Sequence, residues 1–169
     1  MRSIFLIFAL IVSFDARSQR ISINDLKYVL YHTVDETEDY LFAKGFSYAG
    51  ITDLEDVSSN DYSKFPKTSD QYISVSKYIC NGFTYQSYLF TAKQTDYTSL
   101  KQQVKNLKFK LVKTQRDKQS TIYTFAKGNL EIDFEISIAS FGVPIYAIFL
   151  RDVIQTKRRW LYKKNEEVN

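Results

Sequence analysis

The chain has 169 residues, with 23 Lys and Arg against 19 Asp and Glu, a net charge of +4, and one cysteine, Cys80. A single cysteine excludes an internal disulfide and a cysteine-built zinc cage, and so mild a charge offers no basic footprint for nucleic acid. Thirteen Tyr and thirteen Phe against five Gly and two Pro point to a packed, β-rich domain rather than a disordered chain.

The first eighteen residues, MRSIFLIFALIVSFDARS, read as an export signal. Arg2 supplies the positive start and Ile4 to Phe14 the apolar run. As a helix that run rises about 16 Å against about 30 Å of hydrocarbon, too short for a permanent span. Ala16-Arg17-Ser18 puts small residues at the −3 and −1 positions, so the reading is a signal peptide cleaved after Ser18, with Gln19 opening the mature chain. The protein is then exported, periplasmic or extracellular, and no cysteine near the end of the run offers a lipid anchor. Residues 19–151 form a single α+β domain and 152–169 a basic C-terminal tail. The mature chain carries 21 basic and 18 acidic residues, a net charge of +3.

The domain opens on a helix predicted over 23–44. Ser22 and Asp25 resemble a capping box, with Ile21 and Leu26 as the hydrophobic staple across it. Leu26, Leu30, Val34, Thr37 and Leu41 recur at helical spacing, and Gly45 supplies the left-handed stop. A short strand over 46–51 follows, then a polar loop over 52–70 carrying Pro66. Two runs, 71–80 and 83–91, flank Asn81-Gly82, the residue pair that best tolerates the positive φ angles of a tight hairpin turn. A second helix is predicted at about 96–106, started by Thr95 or Asp96 and with Asn106 in the left-handed position. Strands follow at 108–114, 120–127, 130–139 and 144–151, the middle pair joined by Gly128-Asn129. In 130–139, Leu130, Ile132, Phe134, Ile136 and Ile138 alternate with Glu131, Asp133 and Glu135. The fold class is therefore α+β. Two helix-plus-antiparallel-strand units, an αβββ tandem repeat or two units alike by chance, make one antiparallel sheet with helices on one face.

Three clusters bear on chemistry. His32, Asp35, Glu36 and Asp39 form a continuous polar stripe on the first helix, which reads as a solvated face rather than a metal site. No metal ligand set and no cofactor is expected, and no nucleophile-and-base pattern appears. Glu131, Asp133 and Glu135 make a carboxylate row lying opposite Ala126, Thr124 and Ile122, without a partner there. The hairpin at 71–91 carries Tyr72, Ser74, Ser76, Tyr78, Phe83, Tyr85 and Ser87 on one face, mixing rigid rings with adaptable hydroxyls as protein-binding surfaces do. Its other face, with Ile73, Val75, Ile79, Tyr88 and Phe90, reads as core, with Lys77 and Gln86 at the margin.

The functional expectation is a small exported protein-binding module, such as an inhibitor, an immunity-type protein or an envelope assembly protein, using the Tyr/Ser-rich sheet face. Its partner is then another protein, not nucleic acid. The alternatives are an envelope-associated hydrolase using the strand carboxylates, or a structural envelope protein held at the membrane by its basic tail. In that tail, residues 157–164, Arg158, Arg159, Trp160, Lys163 and Lys164 supply a peripheral membrane contact.

Overall fold

Ser22 caps the first helix, α1 (Ile23–Tyr31): its Oγ accepts from the Asp25 N–H, and the Asp25 carboxylate accepts from the Ser22 N–H at 2.7 Å. The computed structural model describes residues 20–157 except 55, 56, 66, 68–70, 81, 140 and 141. The signal expected at 1–18 and the membrane-contact residues Arg158, Arg159, Trp160, Lys163 and Lys164 lie outside the described residues.

The helix predicted over 23–44 is two helices. His32 turns extended, Thr33 starts a second capping box with Glu36, and α2 runs from Val34 to Ala43. Each box satisfies two amide donors that a helix start would otherwise leave unpaired. α2 ends as predicted at Gly45 (φ 81°), with Phe46 N–H donating to Leu41 O at 3.0 Å. That is the Schellman arrangement, and it turns Phe46 into the core.

Strands β1 (Ser47–Leu54), β2 (Val57–Lys64), β3 (Ile73–Cys80) and β4 (Phe83–Thr91) follow. β2 occupies much of the stretch predicted as loop. Helix α3 (Gln94–Asn106) then leads into β5 (Lys110–Arg116), β6 (Ser120–Lys127), β7 (Leu130–Ile138) and β8 (Pro144–Asp152). α3 starts at Gln94 with no side-chain cap. Lys108, not Asn106, takes the left-handed position after it (φ 62°).

The eight strands form one antiparallel sheet in the order β1-β2-β3-β4-β8-β7-β6-β5. Two four-stranded meanders thus meet along a β4–β8 seam. The first has one strand more than the αβββ unit anticipated, because Val57–Lys64 pairs with both neighbours. Helices α1, α2 and α3 bury their apolar sides on one sheet face. Leu26, Val29, Leu41, Leu100 and Val104 join Val75, Leu89, Ile132, Phe134, Ile148 and Leu150 in a single core. Ile138, predicted to face that core, is 60% exposed at the end of β7. Among the described residues, no helix is long and apolar enough to cross a membrane.

The two meanders run in matching register. On the helical side, Tyr48, Tyr62, Val75 and Leu89 align across the first, and Leu111, Phe125, Ile132 and Leu150 across the second. Both outer hairpins carry a bulge at the corresponding place, at Ala49 and at Val112. α3 also ends as α2 does, with Phe109 N–H donating to Val104 O at 3.1 Å.

The β3–β4 hairpin departs from the second meander. Cys80 opposes Phe83 and Ile79 opposes Thr84, as the tight turn requires, but Tyr78 opposes Gln86, leaving Tyr85 as the extra residue of a bulge. An extra residue reverses the facing of everything beyond it. Tyr88 and Phe90, expected in the core, therefore leave the helical side, and Ser87 enters it.

Two polar side chains rise from this hairpin into the helical layer. Ser87, fully buried, donates to Leu26 O at 2.9 Å. Lys77, expected at a margin, is 1% exposed; its Nζ donates to Val29 O at 2.6 Å and His32 O at 2.5 Å. It satisfies carbonyls that the end of α1 leaves without helical partners. Burial pushes this amine down to about 8, with Glu36 acting weakly in the opposite direction.

Lys77→Met leaves both carbonyls unbonded and is expected to lower unfolding stability by about 2 kcal/mol in urea titrations at pH 7. The folded amine titrates near 8 and an unfolded lysine near 10.5, so unfolding takes up a proton between those values. The stability advantage of wild type over Lys77→Met therefore grows as pH rises through that window.

Candidate functional site

Opposite the helices lies a sheet face over which no described element packs. The matching rows continue here as Gly50, Asp61, Ser76 and Tyr88 in the first meander, and Lys113, Thr124, Asp133 and Phe149 in the second. Tyr88 and Phe149 face each other across the seam, ring centroids 4.7 Å apart. Tyr78 stands edge-on to Tyr88 at 6.3 Å and tilted to Tyr85 at the same distance; Tyr72 packs against Phe90 at 5.8 Å. These rings form a ladder over β3, β4 and β8. The alternation of strands puts them on this side, and the Tyr85 bulge brings Tyr88 and Phe90 among them.

The sequence-predicted surface divides accordingly. Tyr72, Ser74, Ser76 and Tyr78 lie on the helix-free face, Ser76 buried between its neighbours. Tyr85 joins Val57, Cys80 and Tyr78 in a small second cluster and is only 8% exposed, so it is packing first and surface second. Phe83 is exposed at the hairpin tip, beside Leu30, Tyr31 and Gln155 in a shallow groove. Ser87 is removed from the face altogether, bonded beneath α1. Gln86, Tyr88, Phe90 and Phe149 take its place. A two-residue turn alone gives no sign of a bulge three residues from it, which is why the spacing missed Gln86, Tyr88 and Phe90.

Beside the ladder, β7 places Glu131, Asp133 and Glu135 on the same face, opposite Ala126, Thr124 and Ile122 as predicted. They are not all unpartnered. Arg151 of β8, opposite Glu131, donates Nη2 to Glu131 Oε2 at 2.8 Å and Nε to the same oxygen at 3.0 Å, and Nη1 to Asp133 Oδ2. The guanidinium fork spans both carboxylates, an arrangement a lysine does not reproduce. Asp133 Oδ1 is buried with no hydrogen-bond partner among the described residues. Glu135 has no ion pair among the described residues; burial raises its carboxyl above the usual range, and Asp117 and Asp133 push it further in the same direction.

The polar stripe on the first helix dissolves with the break at His32. His32 stacks on Tyr28 at 3.6 Å with Nδ1 3.0 Å from Tyr28 O, while Glu36 accepts from Thr33 in the α2 capping box. Asp25 accepts from the Tyr40 hydroxyl and pairs with Lys44 at 3.3 Å, which ties the two helices together. Among the described residues, no group of three His, Cys, Asp or Glu side chains is placed to hold a metal ion. In the cleft at the start of α3, lined by Arg20, Lys64, Lys93, Thr95 and Ser99, Asp96 is the single carboxylate among the described residues. No protein-family model, curated protein or solved structure matches this chain.

Arg151→Met is expected to lower stability by about 1–2 kcal/mol at neutral pH, by leaving two carboxylates side by side without their cation. Glu135→Gln acts oppositely. Its folded carboxyl titrates above the unfolded value, so its charge opposes the fold once pH rises through the folded value. The variant is expected to be more stable than wild type at pH 7 and to lose that advantage near pH 4, read by thermal unfolding at both pH values.

Proposed function

We propose that this protein is a small exported module that binds another protein across its helix-free sheet face, in the manner of an inhibitor, an immunity-type protein or an envelope assembly protein. The observation that carries the reading is the ladder of Tyr78, Tyr88 and Phe149 on a face with no described element over it. Aromatic side chains bury much area at little cost in conformational freedom, and a contiguous apolar patch rimmed by polar groups is what protein interfaces present. Ser74 and Ser76 on one flank and Arg151 on the other supply the polar rim. Arg151 also engages Glu131 and Asp133, which takes from the hydrolase reading the free acid–base pair it requires.

The same reading takes the two halves as a tandem repeat of one helix-plus-meander unit, supported by the shared registers, the paired bulges at Ala49 and Val112, and the like endings of α2 and α3. Both copies then contribute one strand to the seam, and Tyr88 and Phe149 are equivalent residues meeting across it. Export rests on the leader pattern of residues 1–18. Mass spectrometry of the secreted protein, with Gln19 as first residue, supports it, and an intact Met1 contradicts it.

Photocrosslinking tests the binding face. Benzoylphenylalanine replacing Tyr88 or Phe149 is expected to trap one and the same protein from the source organism's extract, in competition with excess unlabelled chain. The same group at Tyr31 or Phe42, exposed on the helical side, is expected not to trap it. Equal products from all four positions, or none from 88 and 149, contradict the proposal. Tyr88→Ser is expected to weaken the complex by about tenfold.

A further inference from the structure

Corresponding positions on the two halves of the helix-free face carry different chemistry. Where β3 presents Ser74, Ser76 and Tyr78, β7 presents Glu131, Asp133 and Glu135, as the shared registers against β4 and β8 define. The β3 row is therefore neutral and hydroxyl-bearing and the β7 row acidic, with the aromatic ladder between them and Asp61 of β2 and Lys113 of β5 further out on the same face.

Along β7 the carboxylates outnumber the one cation paired with them among the described residues, and Lys113 of β5, on the same face, stands across Thr124 from Asp133. Arg151 is shared by Glu131 and Asp133, one positive charge for two negative ones. Asp133 keeps one oxygen buried and unbonded, and Glu135 lies two residues further along the same strand face with no ion pair among the described residues. Its cross-strand neighbours are Ile122 on β6 and Ala147 on β8, neither able to donate a side-chain hydrogen bond. Asp117, in the β5–β6 connection, adds a further negative charge near it. A folded protein gains nothing from such an arrangement by itself, because like charges on a half-buried face cost stability.

We infer that the partner bound by this face is a protein whose contact segment carries an arginine or lysine beside an apolar side chain, the cation seated against Asp133 and Glu135 and the apolar group on Tyr88 and Phe149. The inference rests on the binding role proposed above and adds the chemistry of the partner. Complementary charge beside an apolar anchor fixes the register of docking and disfavours acidic competitors. The carboxylate excess then costs the free protein some stability and gives the complex its selectivity.

The probes are two dipeptides, acetyl-Arg-Phe-amide and acetyl-Glu-Phe-amide, titrated into the full mature chain and followed by NMR at residues 88, 135 and 149. The arginine dipeptide is expected to give saturable shifts at all three residues, with at least about fivefold tighter binding than the glutamate dipeptide. Glu135→Gln is expected to remove most of that preference and Glu135→Lys to invert it, with the fold of both checked by their backbone spectra. Equal binding of the two dipeptides, no binding of either, or a preference unchanged by Glu135→Lys overturns the inference. So do shifts at these residues that depend on protein concentration alone, which assign the face to a second copy. The crosslinks from positions 88 and 149 decide the binding role separately, so either idea fails without the other.

Discussion

The β4–β8 seam is the one place where the two meanders join, and α1 lies across it, packed on both strands. What holds α1 there is a pair of hydrogen-bonding side chains from the sheet below. Ser87 reaches the Leu26 carbonyl in the middle of the helix, and the buried Lys77 ammonium reaches Val29 and His32 at its end. A buried lysine is costly unless its protons are used. Here they close the end of α1 at the point where the chain must turn into α2. The helix break, the position of α1 over the seam and the choice of the side that the described helices cover are thus consequences of one arrangement.

The Tyr85 bulge is what makes that arrangement compatible with a tight turn. Without an extra residue, Asn81-Gly82 pairing would put Ser87 on the face opposite Lys77, and the two could not both rise into the helical layer. With it, Lys77 and Ser87 oppose each other beneath α1 while Tyr78, Gln86 and Tyr88 point away. One irregularity therefore supplies both the anchor of the helical layer and the aromatic ladder on the far side. The second meander has no such bulge between β7 and β8, and there β7 alternates without interruption, core residues one way and carboxylates the other.

Much of the local structure was legible in the residues because it rests on short-range chemistry. The Ser22–Asp25 box, the stop at Gly45 and the turn at Gly128 depend on neighbours within a few positions, and so does the β7 alternation. The α1–α2 break has a signal in the sequence too, Thr33 followed three residues later by Glu36, but the apolar spacing that continues to Leu41 masks it. β2 was hidden for a different reason. Its segment, VSSNDYSK, is mostly polar, and it becomes a strand because both neighbours complete its backbone ladder. The proposed binding face was half legible: Tyr72, Ser74, Ser76 and Tyr78 were placed by alternation, whereas Tyr88, Phe90 and Phe149 depend on the bulge and on strand order across the seam. Arg151 was not legible as the partner of Glu131 and Asp133 because the five-residue connection between β7 and β8 does not set their register as a two-residue turn does.

The central claim, on which the proposed binding role rests, is that one face of the sheet is clad in helices and that no described element covers the other. Hydroxyl-radical footprinting of the free, mature protein tests it most directly, since ring oxidation follows solvent access residue by residue. Tyr78, Tyr88 and Phe149 are expected to be oxidised several times faster than Tyr62, Tyr97 and Tyr146, which the core encloses. Protection of Tyr78, Tyr88 and Phe149 equal to that of the core tyrosines would mean that the face is already covered, and would contradict the claim.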